Sequence, residues 1–216
     1  MIKLIETVLD IIYPKRCLWC GEILDFGRSE DFCLSCRNKF EGLNLLEYKD
    51  ENGFSLFNYD GEIRTKILSL KYDGKRDIGK AFGCLMYKAF IKNGFDMDFD
   101  EILPVAISRK RLKERGYNQT EIMAEELSRL SGIPVGKGLV RVKETKPQNK
   151  LNIEERKINV KNAFKTDRSF EGKKNLLIDD IYTTGSTAAA CAEALYTAGA
   201  RSVKFCTAAK TYLRNQ

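Results

Sequence analysis

The chain has 216 residues, of which 43% are hydrophobic and 31% charged. That composition suits one substantial α/β domain with a small appendage and excludes two full-sized domains or a disordered chain. It contains no histidine, which excludes Ser-His-Asp and Cys-His nucleophiles and imidazole metal ligands. Acid–base work falls to carboxylates, Lys, Tyr or a substrate. The formal net charge is +7, and residues 105–165 alone hold 15 basic and 7 acidic side chains. The positive excess therefore lies in one central stretch, which is either a solvated basic surface or a place for a polyanion or phosphorylated ligand.

In chain order, the first fourteen residues form an apolar stretch interrupted by Glu6 and Asp10. They read as a short amphipathic helix and not as a secretion signal. No run approaches the roughly 20 apolar residues of a membrane span. Cys17, Cys20, Cys33 and Cys36 then follow the pattern C-x2-C-x12-C-x2-C. Two such turns present four thiolates to one centre, the geometry of a closed, structural Zn site. Two disulfides or an iron–sulfur cluster would use the same residues, but disulfides need an oxidising compartment and nothing here suggests export. A segment this short folds only with help, which a metal supplies. Trp19 with Lys15, Arg16 and Arg37 offers a surface for nucleic acid bases, although such residues more often pack and solubilise a ribbon. Cys84, Cys191 and Cys206 sit singly in apolar segments and read as buried packing groups.

From residue 53 the texture is α/β. Residues 54–59 read as a strand, and 61–71 and 76–92 as helices with apolar faces of Ile63, Ile67 and Leu68, then Ile78, Phe82, Leu85, Met86 and Phe90. Residues 101–105 are a short buried strand, followed by a long basic loop. Asn118 with Glu121 resembles a capping box for a helix over 119–131, stopped by Gly132. A second strand is expected over 138–142, then about thirty polar residues without period. The apolar run 175–181 is a strand buried on both faces, 187–198 a helix ended by Gly199, and 202–208 a last strand. This alternation implies βαβ crossovers and a parallel sheet.

The sharpest feature is Asp179-Asp180-Ile-Tyr-Thr183-Thr184-Gly185-Ser186-Thr187, set between strand and helix. The strand delivers two carboxylates at the sheet edge where open α/β folds place ligands. A Thr-Thr-Gly-Ser-Thr turn then presents amides and hydroxyls at a helix N-terminus, a cradle for a phosphate monoester. Two acids beside a phosphate make sense if they grip hydroxyls or act through a divalent cation. A ribose 5-phosphate offers such hydroxyls.

This run is similar to the phosphoribosyl pyrophosphate (PRPP) signature of type I phosphoribosyltransferases, and the chain as a whole resembles the competence protein F (ComF) family. The family's other marks are Tyr59-Asp-Gly61, Leu70-Lys71-Tyr72 with Gly74, Pro104-Val105 with Arg111 and Arg115-Gly-Tyr-Asn-Gln119, and Thr145, Gln148, Leu151, Arg156, Asn159 and Ala163-Phe164. Ala106 and Ser108 stand where the family usually has Pro and His, and Lys143 where it usually has Arg.

The resemblance implies a type I phosphoribosyltransferase-like parallel sheet flanked by helices over residues 51–216, and an N-terminal helix with a four-cysteine zinc ribbon over 1–50. It implies PRPP held by Asp179, Asp180, Thr183, Thr184, Gly185, Ser186, Thr187 and Arg111. Asp179 and Asp180 would take the ribose hydroxyls, and Arg111, Arg115 and Lys143 the pyrophosphate, with Mg²⁺. Residues 143–165 would form a mobile hood. The chemistry would be displacement of pyrophosphate by a nitrogen nucleophile. As an alternative it implies a non-catalytic reading, a cytoplasmic protein handling single-stranded DNA in uptake beside a helicase and a recombination mediator, without membrane insertion.

Overall fold

The computed structural model describes residues 13–25, 30–48, 53–143 and 162–211. The expected N-terminal helix, most of the expected hood and the marks Thr145, Gln148, Leu151, Arg156 and Asn159 lie outside those residues. The chain divides into two compact units between Leu43 and Asn44. No helix among the described residues is long and apolar enough to cross a membrane.

The first unit is a small ribbon. A tight knuckle carries Cys17 and Cys20, closed by the Gly21 amide donating to the Cys17 carbonyl at 2.9 Å and by Leu24 N–H donating to Lys15 O at 2.8 Å. Helix α1, Leu34–Glu41, starts directly after Cys33 and places Cys36 one turn in. Trp19 is 2% exposed and meets Phe40 edge to face at 4.9 Å, with Phe32 against the same ring at 5.9 Å. Trp19 is thus a packing residue and presents no free face to bases.

In the second unit, β1 (Leu46–Glu47) runs antiparallel to β2 (Gly53–Asn58). Helices α2 (Gly61–Tyr72) and α3 (Arg76–Lys92) follow, then β3 (Glu101–Pro104), α4 (Arg109–Arg115), α5 (Gln119–Ser131), β4 (Leu139–Arg141), β5 (Phe164–Thr166), β6 (Lys174–Tyr182), α6 (Ser186–Thr197) and β7 (Ser202–Lys210). The main sheet has the order β1-β2-β7-β6-β3, and β2, β7, β6 and β3 are parallel. This is the parallel α/β sheet that the alternation implied, with β1 as an added antiparallel edge.

Three expectations are corrected. The basic stretch after β3 is not all loop: Ser108 accepts from the Arg111 amide at 3.3 Å and caps α4. The strand over 138–142 does not join the parallel sheet, because β4 pairs antiparallel with β5 as a separate ribbon. On α2, Leu68 is only partly buried while Leu70 is fully buried. The other expected apolar positions on α2 and α3 are buried, as are Cys84, Cys191 and Cys206. Asn118 caps α5 by accepting from Thr120 N–H at 3.2 Å, while Glu121 is exposed. Helices α3 and α5 approach closely where Gly83 has no side chain: a Cβ there would lie 2.5 Å from the Met123 carbonyl oxygen.

In the ribbon, the thiols of Cys17, Cys20, Cys33 and Cys36 lie within 4.8 Å of one another, a donor set that fits one tetrahedral Zn²⁺. Burial alone would raise the Cys17 thiol, but the amides of Cys20, Cys33 and Trp19 hold it down to about 7, so thiolate is within reach at neutral pH. Trp19 is the single tryptophan of the chain. Chelating zinc, or the substitution Cys17→Ser, should therefore shift its emission to longer wavelength as the ribbon opens. An unshifted spectrum in metal-free protein would show that the core stands without metal.

Candidate functional site

Strand β6 positions the site. Leu176, Leu177 and Ile178 are 0% exposed, because β6 lies between β7 and β3 and is covered on both faces. Successive side chains of a strand point to opposite faces, so the two acids at its far end part company.

Asp180, 6% exposed, turns toward the α2 and α5 face. Its Oδ2 pairs with Lys71 Nζ at 2.8 Å and accepts from Gln119 Nε2 at 2.6 Å. Gln119 in turn accepts from the Arg115 guanidinium. Burial lowers the Arg115 pKa, and the charge of Asp180 opposes that effect. Asn118 Nδ2 and Thr120 Oγ1 both donate to the Val105 carbonyl, at 3.1 and 2.8 Å. The start of α5 is thereby fixed to the end of β3, on the same sheet edge.

Asp179 turns to the opposite face, toward α6. It shares a small pocket with Tyr182, Thr183, Gly185, Thr187 and Thr207. One oxygen accepts from the Asp180 amide at 2.8 Å, and no ion pair reaches it among the described residues. Burial, followed by the neighbouring Asp180 charge, pushes its carboxyl from 3.8 up to about 7. The same burial holds the nearby Cys191 thiol well above its usual value.

Beyond β6 the chain turns sharply into α6 at Gly185, whose φ is 75°, in the left-handed region that only glycine enters freely. No side chain caps the α6 N-terminus. No backbone carbonyl among the described residues accepts from the amides of Thr184, Gly185 or Ser186. The Thr184 and Ser186 hydroxyls meet at 2.7 Å. Amides, hydroxyls and helix dipole thus converge on a spot suited to an anion. A Cβ on Gly185 would lie 2.5 Å from the Tyr182 hydroxyl. The Tyr182 ring is itself braced, stacked on Tyr48 at 3.8 Å. Tyr48 is held by hydrogen bonds to the Phe54 carbonyl and Thr207 Oγ1, both 2.7 Å.

The other expected residues are more dispersed. Arg111 lies one turn before Arg115 on α4 and adds to its positive surroundings. Lys143 is exposed past β4, its carbonyl accepting from Arg141 Nε at 3.4 Å, and no ion pair joins it to the acids among the described residues. The cation whose charge does bear on Asp179 from that ribbon is Arg141. Lys71, Gln119, Arg141 and Tyr182 are site residues that sequence reasoning left without a role. Strand period points to Arg141, two residues from Lys143 on the same face. The partners of Asp180 come from helices distant in sequence and carry no local signal.

With that geometry in place, residues 112–213 match the phosphoribosyl transferase domain, and residues 8–44 the double zinc ribbon domain. The DNA utilization protein YhgH of Escherichia coli (strain K12) is 30% identical over 152 residues, covering 68% of this chain and 66% of that protein. Competence protein F of Haemophilus influenzae is 35% identical over 137 residues, 60% of either chain. Competence protein ComFC of Bacillus subtilis is 33% identical over 134 residues, 62% of this chain and 53% of that protein. The chain belongs to the ComF family. These likenesses span about two-thirds or less of each relative. As a ComF protein it joins a phosphoribosyl transferase domain to a ribbon whose matched residues hold four cysteines, enough for one tetrahedral centre.

The raised carboxyl makes a measurable demand on stability. In the unfolded chain Asp179 ionises in the ordinary range, whereas the folded domain keeps it protonated to about 7. Folding takes up a proton in that window, so stability falls as pH rises through it. Asp179→Asn should remove this slope and raise unfolding free energy by about 1–3 kcal/mol near pH 8, read from urea midpoints. A slope unchanged by the substitution would place the titrating group elsewhere.

Proposed function

We propose that this ComF-family chain binds the ribose 5-phosphate portion of PRPP in the turn over residues 183–187 and transfers the phosphoribosyl group to a nitrogen nucleophile, releasing pyrophosphate. The observation that carries this reading is the uncapped α6 N-terminus at Gly185 beside a half-buried carboxyl that no ion pair reaches among the described residues. Phosphate oxygens would accept from the Thr184, Gly185 and Ser186 amides, with hydroxyls from Thr183, Thr184, Ser186 and Thr187 around them. Asp179 would accept a ribose hydroxyl. Asp180 has Oδ2 occupied by Lys71 and Gln119, which leaves Oδ1 for a second hydroxyl. Arg111, Arg115 and Lys143 would meet pyrophosphate as negative charge builds on the leaving oxygen. The Asp179 carboxyl suits a divalent cation nearby, and Mg²⁺ supplies neutralisation of the leaving group when bound.

A second reading is supported by a different observation. Helix α4, of sequence RKRLKER, has five basic residues in seven beside the same sheet edge, and the relatives are called DNA utilization and competence proteins. Here the domain handles single-stranded DNA in the cytoplasm without catalysis, alongside a helicase and a recombination mediator.

Calorimetry with PRPP and Mg²⁺, run beside a short single strand, separates the two. The first reading expects saturable PRPP binding that Gly185→Ala weakens by about tenfold or more, because the left-handed turn and the Tyr182 hydroxyl leave no room for a methyl group. Pyrophosphate release with a base or amine would complete it. Strand binding that falls steeply with salt, without any PRPP heat, would favour the second.

A further inference from the structure

We infer that the Tyr72 ring and the Arg115 guanidinium form a stacking site for an unpaired nucleobase at the rim of the acid-bearing sheet edge. Tyr72 ends α2 and is 73% exposed, an unusual degree of exposure for an aromatic ring so close to a buried ion pair. It is not on a loose end. The preceding residue, Lys71, is tied to Asp180 at 2.8 Å. One residue earlier, the Leu70 carbonyl accepts from the Tyr117 hydroxyl. The backbone under the ring is thus held from both sides, and an open ring on a fixed backbone loses little entropy when a ligand stacks on it.

Tyr72 and Tyr117 each carry an arginine over the ring. Arg115 lies 5.7 Å from the Tyr72 ring centroid, and Arg76 lies 4.6 Å from that of Tyr117. Arg115 also donates to Gln119, which donates to Asp180. An unbroken set of contacts therefore runs from the exposed ring to the carboxylate. Aromatic faces paired with arginines along the edge that carries Asp180 are the chemistry that takes unpaired bases, since every base has a π-face. The base can arrive on a small molecule or within a single strand. The inference takes its neighbouring sugar-phosphate turn from the proposed function, but its own test does not depend on it.

The experiment titrates wild type, Tyr72→Ala and Tyr72→Phe with ribose 5-phosphate, adenosine 5′-monophosphate, a short oligothymidine and an abasic strand of equal length. The exposed position makes both variants compatible with folding, which thermal melts check. Tyr72→Ala should weaken the base-bearing ligands by roughly 5- to 100-fold, Tyr72→Phe by less than about threefold, and neither should alter ribose 5-phosphate or the abasic strand. Loss confined to the mononucleotide assigns the site to a small substrate, and loss confined to oligothymidine assigns it to a strand. Equal affinity of wild type and Tyr72→Ala for every base-bearing ligand overturns the inference, as does a wild type that binds none of them. If ribose 5-phosphate binds no variant while oligothymidine still depends on Tyr72, the stacking site stands and the sugar-phosphate reading falls.

Discussion

The period of two along a β-strand is the constraint on which the site depends. Asp179 and Asp180 are neighbours in sequence, yet one faces α6 and the other faces α2 and α5, because β6 is extended to its last residue. A pair of acids in a loop would have shared one environment and repelled each other with a single outcome. Here Asp180 acquires Lys71 and Gln119, while Asp179 is left among apolar and hydroxyl neighbours. The sheet edge therefore holds one ion-paired carboxylate and, on the opposite face, one that no ion pair reaches among the described residues, both just before the turn into α6.

That asymmetry has a cost and a use. A carboxyl kept protonated to about 7 by burial weakens the folded state wherever it must ionise. Sites that bind charge commonly keep such unfavourable groups, since a ligand supplies the missing partners. The surroundings resist relaxation: Tyr48, Ser55 and Thr207 form a buried hydroxyl cluster, with Ser55 and Thr207 2.6 Å apart, and Tyr48 supports the Tyr182 ring over Gly185. The edge strand β1, two residues long, leads directly into Tyr48.

Much of this was legible in the residues. The apolar run before Asp179 announced a central strand, and the glycine between hydroxyl residues announced the tight turn into α6. The cysteine spacing announced a thiol cluster. What could not be read was long-range. Nothing local says that Lys71 would reach Asp180, or that Arg141 and not Lys143 would bear on Asp179. The strand over 138–142 was recognisable by its residues, but its partner was not, because β5 is short and lies beyond a long polar stretch. Helix α4 was hidden by its charge: the sequence RKRLKER has too little apolar period to announce a helix, and the Ser108 cap decides it.

The proposal that the turn holds a phosphoryl group stands or falls on where the ligand sits, and amide chemical shifts answer that most directly. In a ¹H–¹⁵N titration with ribose 5-phosphate, the Thr184, Gly185 and Ser186 amides should move first and saturate together, with the Asp180 amide following as Asp179 responds. Perturbations confined to the basic residues of α4, with Gly185 and Ser186 unmoved, would contradict it.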